Sequence, residues 1–320
     1  MRVEVEGAYK SKLNESQLNQ VIRNVMNSSI RSYSELSDGW ANSAYSIELE
    51  DGRKVVLKAR PPEGIRFMRC EVDLMKTEVH AMRQLSSSGE LPIPRIYAYD
   101  QSLELLPVEY FIMEHLEGRP YNQVKLDLSE EQREEIYLQI GKLNRLINEV
   151  QGSGFGFYSQ PSFRSWRDAF AEMIFGVVAD GKDAGVTMPI AYEELEKLIE
   201  KQLDCLNDVV EPRLLHWDLW DGNVFVKDGQ VTGIIDFERA LWGDPLMEHY
   251  FSHFHSSEAF RQGYGLSAKE SSQLSRIKLY DLYLDLILYV ECTYRKYEDE
   301  HHVNWTYDNL VQGLARFQSS

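Results

Sequence analysis

Apolar positions in the first third of the chain fall mostly into short runs with the spacing of strands. Before them, Leu13, Leu18, Val21, Ile22 and Val25 share one face of a helix that runs to about Ser29. Tyr45 to Leu49 alternates as a half-buried strand does. Asp51-Gly52 supplies a hairpin turn, and Val55-Val56-Leu57-Lys58 runs back. Helical spacing returns over Glu71 to Leu85, where Met75, Glu78, Met82 and Leu85 form one stripe. Pro92 and Pro94 stiffen the chain before two more strand-like runs, Arg95 to Tyr99 and Val108 to Met113. Strand patterning ends at Glu114 to Gly118, so domains of 1–115 and 116–320 are expected on either side.

The second part reads as mainly helical. Ser129 and Gln132 make a capping box ahead of the stripe Ile136, Ile140, Leu143 and Ile147. Gly152 to Phe157 is rich in glycine, but it follows a helix and not a strand, so it is expected to be a connector. Helices are expected over Trp166 to Val178 and Tyr192 to Val209, with a polar break at Asp180 to Gly185. Val224 to Val226 and Val231 to Ile235 are two short strands. Asp228-Gly229 between them suits a type I′ turn, which needs positive φ at both central residues. Ile277 to Tyr294 reads as a core helix, with Asp281, Asp285 and Glu291 on its wet side, and His301-His302 as a turn. The expected fold class is α+β, a small antiparallel-sheet lobe followed by a larger, mainly helical one.

Candidate chemistry gathers around the second hairpin. Folding the chain about Asp228-Gly229 brings Asn223 and Asp236 to the same open end. Both are hard oxygen ligands of the kind magnesium prefers. Asp218 lies one loop earlier and can take a proton from a hydroxyl. Lys58 ends an apolar strand and must snorkel or pair. Glu78, on the inward stripe of the next helix, is the expected partner, with Glu71 as its rival. Glu248, His249, His253 and His255 follow Pro245. The pair His249 and His253 has zinc spacing but no third ligand in register, so helix packing is expected there.

His216-Trp217-Asp218-Leu219, Asn223 and Ile235-Asp236-Phe237-Glu238 follow the order of a protein-kinase catalytic loop and its metal-binding aspartate. Trp217 stands where that pattern has arginine, and Glu238 where it has glycine. With Gly243-Asp244-Pro245, the stretch resembles the aminoglycoside phosphotransferase and choline kinase family, small-molecule kinases with a bilobal protein-kinase-like fold. Asp218-Leu219-Trp220 with Gly222-Asn223 is also similar to the fructosamine kinase branch.

The resemblance implies a role for each residue. Asp218 would be the catalytic base, and Asn223 and Asp236 would hold magnesium. Lys58, fixed by Glu78, would hold the phosphates of ATP or GTP. Gly39, Asn42 and Ser43 would form the nucleotide loop, and backbone groups of Glu114 and Leu116 would meet the base. His216 and Asp244 would brace the loop, and Asp221 would face solvent. The implied reaction moves the γ-phosphate to a hydroxyl of a small acceptor. Other members of the family phosphorylate choline, homoserine or sugar amines.

Composition narrows the partners. A formal charge of −17, from 51 acidic and 34 basic residues, repels nucleic acid and anionic membrane and would suit an amine-bearing acceptor. Glu238, Glu248, Asp281, Asp285 and Glu291 are the acids expected to meet such an amine. Three scattered cysteines and a start without an apolar signal core point to a reducing, cytoplasmic setting.

Overall fold

A computed structural model describes residues 4–6, 10–36, 42–61, 64–87, 89–248, 257–265 and 270–318. A ribbon of β1 (Glu4–Glu6) and β2 (Lys10–Lys12) precedes helix α1 (Glu15–Met26). Asn14 and Gln17 close a capping box at its start. A five-stranded antiparallel sheet follows in the order β3-β4-β5-β7-β6. Its strands are β3 (Ile30–Leu36), β4 (Ser43–Leu49), β5 (Lys54–Ala59), β6 (Ile96–Asp100) and β7 (Tyr110–Glu114). Helix α2 (Leu74–Ser86) lies between β5 and β6 in sequence.

β3 is a strand that the apolar pattern does not announce. It is an edge strand, and six of its seven residues are exposed, so no buried face imposes alternation. β5, by contrast, is central, and Val55, Leu57 and Ala59 bury one face against Leu18, Val21 and Ile22 of α1.

The larger part begins with β8 (Arg119–Pro120), α3 (Tyr121–Val124) and α4 (Glu130–Asn148), whose capping box at Ser129 and Gln132 is present. Then come β9 (Gly156–Phe157), α5 (Trp166–Ala184) and α6 (Tyr192–Gln202). β10 (Arg213–Leu215), the hairpin of β11 (Val224–Lys227) and β12 (Gln230–Ile234), and β13 (Leu241–Gly243) carry the chain past the site. The hairpin turn has φ +50° at Asp228 and +77° at Gly229, as a type I′ turn requires. Helices α7 (Glu258–Tyr264), α8 (Ser271–Tyr294) and α9 (Glu300–Gln318) complete the lobe.

Three expectations in this lobe are corrected. The break at Asp180 to Gly185 is the end of α5: Asp180 is buried in the helix because Arg69 meets it, and the chain leaves at Gly185 with φ +68°. Helix Tyr192 to Val209 stops at Gln202 and continues as a tighter 3-10 turn to Asp208. His301-His302 lies in the first turn of α9, where Asp299 accepts the His301 N–H at 3.0 Å.

The fold is bilobal, yet one core joins the lobes. Val79 and Met82 of α2 and Phe111 of β7 pack in the same cluster as Val224, Ile234 and Phe237. No described helix is long and apolar enough to cross a membrane.

Candidate active site

The cleft forms where β5 and α2 face the hairpin β11–β12. Met75, Val79, Met82 and Leu85 bury the inward stripe of α2, and Glu78 is carried inside with them, wholly buried. Lys58 Nζ meets Glu78 Oε1 at 2.6 Å and, from the other lobe, Asp236 Oδ1 at 3.1 Å. Burial alone would lower the Lys58 pKa, but the Asp236 and Glu78 carboxylates outweigh it and hold the ammonium above the ordinary lysine range. Burial likewise works to raise Asp236, yet Lys58 keeps it below the usual carboxylate range. Glu71, the rival partner, lies before α2 begins and pairs instead with Arg295 at 2.6 Å.

The loop that carries Asp218 is held by buried groups. His216 is fully buried, and its Nε2 donates to the Ile235 carbonyl at 2.9 Å while its Nδ1 accepts the Asp218 N–H at 3.2 Å. That pattern defines a neutral imidazole, and burial agrees, pushing its pKa down to about 4. Trp217 takes a positive φ of 54°, which a non-glycine residue adopts at some cost. The buried Glu248 carboxylate offsets it by accepting the N–H groups of His216 at 2.7 Å and Trp217 at 3.3 Å. Asp244 braces the far side: it accepts from Tyr280 at 2.7 Å and lies 3.2 Å from Arg276.

Asn223 and Asp236 flank the hairpin. Val224 pairs with Ile234, and the Ile235 N–H donates to the Asn223 carbonyl at 3.0 Å. Asn223 Nδ2 donates to the Asp218 carbonyl at 2.8 Å, which leaves its Oδ1 clear of that bond. Glu78, Asp236 and Glu238 bring carboxylate oxygens within 4.8 Å of one another, a hard oxygen set that fits magnesium. Burial raises the half-buried Asp218 to about 7, Arg239 pulls it back, and Asp236 pushes it further up. Burial, with the Asp236 and Glu78 charges, likewise raises Glu238 to about 8.

Of the residues expected at the nucleotide, Asn42 donates to Glu238 Oε2 at 3.1 Å, so it reaches the same cleft. Ser43 is buried, and its hydroxyl has no partner among the described residues. Gly39 lies outside the described residues, as do His249, His253 and His255. The Glu114 N–H is taken by the Arg95 carbonyl at 2.8 Å, whereas no described backbone partner engages Leu116.

Other expectations change. Asp221 is buried, not solvent-facing, and holds Lys125 at 2.8 Å and the Tyr137 hydroxyl at 3.2 Å. Asp285 and Glu291 do not lie on a wet side of α8. Asp285 is fully buried with Arg316 at 3.5 Å, and Glu291 takes Arg239 at 2.8 Å. With Glu248 holding the loop and Glu238 holding Asn42, four of the five acids expected to meet an amine are engaged inside the protein. Glu248 as the loop brace was the main omission from sequence; its only signal was an acid set among apolar neighbours.

A two-lobed α+β fold with a lysine–glutamate pair above a His-x-Asp loop and an Asn/Asp hairpin defines a protein-kinase-like phosphotransferase. The chain belongs to the phosphotransferase enzyme family, whose model matches residues 32–273. Among solved structures it is similar to the aminoglycoside phosphotransferase APH(4)-Ia, with TM-score 0.69 and 19% identity over 94% of this chain and 99% of that one. A mutant of that enzyme in ternary complex with ADP and hygromycin B matches at TM-score 0.65 and 20% identity, over 94% and 98%. A candidate fructosamine-3-kinase of Thermobifida fusca matches at TM-score 0.69 and 19% identity, over 94% and 100%. Among curated proteins, acyl-CoA dehydrogenase family member 11 of Gallus gallus is 25% identical over 231 residues, 69% of this chain and 27% of that protein. A subtelomeric hrmA-associated cluster protein of Aspergillus fumigatus is 26% identical over 134 residues, 42% of this chain and 26% of that protein. The chain thus spans about a quarter of the length of these curated relatives.

Proposed function

We propose that the protein is a small-molecule kinase that transfers the γ-phosphoryl group of ATP or GTP to a hydroxyl of its acceptor. The observation that carries this reading is Lys58, held by Glu78 at 2.6 Å and by Asp236 of the opposite lobe at 3.1 Å. A buried cation at that point suits the α- and β-phosphates of a nucleotide entering between the lobes. Asn42 and Ser43, with Gly39 beside them in sequence, would cover the phosphates. Glu114 and Leu116 would offer backbone groups to the base, and among the described residues no backbone partner engages Leu116.

Asp218 orients the acceptor hydroxyl and takes its proton. The hydroxyl oxygen then bonds to the γ-phosphorus, the bond from that phosphorus to the β–γ bridging oxygen breaks, and a nucleoside diphosphate leaves. Asn223 and Asp236 would hold magnesium, which when bound neutralises phosphate charge. The Asp236 carboxylate lies with those of Glu78 and Glu238 in a hard oxygen set that suits such an ion. Position and charge, more than covalent chemistry, lower the barrier.

An amine-bearing acceptor, expected from net charge, has little support in the local contacts, because four of the five acids in question already hold partners. The name of one curated relative, an acyl-CoA dehydrogenase family member, concerns acyl thioesters. A useful acceptor panel therefore sets hydroxylated acyl thioesters beside amino sugars, choline, homoserine and sugar amines. The test is nucleoside diphosphate release from purified protein with magnesium and ATP or GTP across that panel. Acceptor-dependent release is expected; nucleotide that binds but yields no release with any acceptor would favour a kinase-shaped binding module.

A further inference from the structure

The stretch from Asp218 to Asn223 closes tightly on itself. The Trp220 N–H donates to the Asp218 carbonyl at 3.0 Å, and the Asn223 N–H donates to the Trp220 carbonyl at 2.9 Å. Asn223 Nδ2 returns to the Asp218 carbonyl at 2.8 Å. A rotation of the 3-10 turn Asp221–Asn223 therefore moves Asn223 Oδ1 with it.

His216 and Glu248 hold the start of this stretch. Further on, Leu219 packs in the core, Trp220 is exposed and Gly222 has no side chain. Asp221 is the one residue between Asp218 and Asn223 whose side chain makes hydrogen bonds among the described residues.

Its partners come from the start of the helical lobe. Lys125, directly after α3, reaches Asp221 Oδ2 at 2.8 Å, and the Tyr137 hydroxyl of α4 donates to the same oxygen at 3.2 Å. Lys125 also donates to the Tyr137 hydroxyl at 2.6 Å. Its ammonium lies 5.8 Å from the centre of the Tyr121 ring and 5.2 Å from that of Tyr137. The two rings meet edge to face with centroids 5.4 Å apart, and Tyr121 is fully buried. Aromatic faces attract a cation, so they hold the ammonium where Asp221 meets it.

Folding stability does not account for this pair. The Asp221 side chain is 9% exposed and that of Lys125 23%, so both ions lose much of their hydration. A pair buried to this degree is often no more stabilising than apolar side chains filling the same volume. What a charge-assisted bond adds is direction, and here the direction fixes how the turn is rotated.

We propose that Asp221 is a positioning residue for magnesium. Held by Lys125 and Tyr137, it sets the turn from which Asn223 offers Oδ1 to the ion of a bound nucleotide. The three residues act through Asn223 and touch no substrate. This rests on the phosphoryl-transfer reading of the site.

The test is calorimetric titration of the full chain with a non-hydrolysable ATP analogue, across a range of magnesium concentrations and in chelator. Asp221→Ala is expected to raise the magnesium concentration that supports half of the nucleotide binding about tenfold, and to leave binding in chelator within about twofold. Tyr137→Phe, which keeps Lys125, should raise it less, about threefold. In an Asn223→Ala protein, Asp221→Ala should add less than about twofold, because the two residues act as one unit. Asp221→Asn with Lys125→Met removes both charges together and strands neither. That double variant should unfold at a urea concentration close to the wild type's and still show a raised magnesium requirement, which separates positioning from folding. A wild-type magnesium requirement in folded Asp221→Ala, an equal loss of binding in chelator, or an undiminished effect in the Asn223→Ala protein would overturn the proposal. A wild type whose nucleotide binding ignores magnesium would remove the phosphoryl-transfer reading and this proposal with it. Magnesium-dependent binding that no Asp221 variant alters would remove this proposal alone.

Discussion

Lys58 and Asp236 meet across the cleft at 3.1 Å, one side chain from the sheet and the other from the end of the β11–β12 hairpin. Their contact joins the two lobes where nucleotide phosphates would enter. Lys58 is the counter-charge of the fully buried Glu78 and, on the proposed reading, would also be the cation that meets the nucleotide. Lys58→Met should raise the KM for nucleotide more than tenfold and, by stranding Glu78, cost about 3–5 kcal/mol of stability. Lys58→Met with Glu78→Gln should recover most of that stability and none of the nucleotide affinity. Denaturant unfolding and nucleotide titration of the single and double variants read the two effects separately.

Asp218→Asn should lower kcat by about a hundredfold to ten-thousandfold, the range for loss of a positioned base. Nucleotide binding should stay within about twofold, because the Lys58 cluster is intact. Asp236→Ala should lose magnesium-dependent nucleotide binding as well as turnover. Steady-state kinetics and calorimetry with and without a chelator separate these outcomes.

The pH profile follows from Asp218. Burial raises its pKa to about 7, and the base must be ionised to accept a proton, so kcat/KM should rise with pH through about 7 and level off above it. A profile already flat from pH 5 upward would contradict the base assignment.

Glu248 makes a separate prediction about stability. Burial raises it to about 7 in the fold, above its ordinary 4.5. A group raised in this way contributes stability that is full below its unfolded pKa and is lost as pH rises through the folded value. Stability should therefore fall across the window from pH 4.5 to about 7, and Glu248→Gln should flatten part of that slope. Urea unfolding at several pH values measures it.

Gly141 of α4 and Gly263 of α7 let the two helices touch: a Cβ on Gly141 would come within 2.3 Å of the Phe260 carbonyl oxygen. Backbone cannot yield as a flexible side chain can. Gly141→Ala should cost about 1–3 kcal/mol by denaturant unfolding.

These residues also show what the sequence made legible. The hairpin that places Asn223 and Asp236 could be read because its signals are local: two apolar runs and an Asp-Gly turn. The Lys58–Glu78 pair could be read because each charge interrupts an otherwise apolar pattern, and a charge on a buried face needs a partner. The same rule governs Asp180, Asp221, Asp285 and Glu291, but their partners Arg69, Lys125, Arg316 and Arg239 come from elsewhere in the chain and give no local signal. Polarity alone placed those acids in breaks, in solvent or on a wet face; tertiary pairing buries them. β3 escaped for the opposite reason, since an exposed edge strand leaves no apolar alternation to detect.

Transfer of a labelled γ-phosphate tests the central reading most directly. Purified protein, magnesium and labelled ATP or GTP are incubated with the acceptor panel, and small-molecule products are separated from nucleotide. The expected result is label on an acceptor hydroxyl with the wild type and almost none with Asp218→Asn. Label that stays on nucleotide or inorganic phosphate with every acceptor, or that moves equally well with Asp218→Asn, would contradict it.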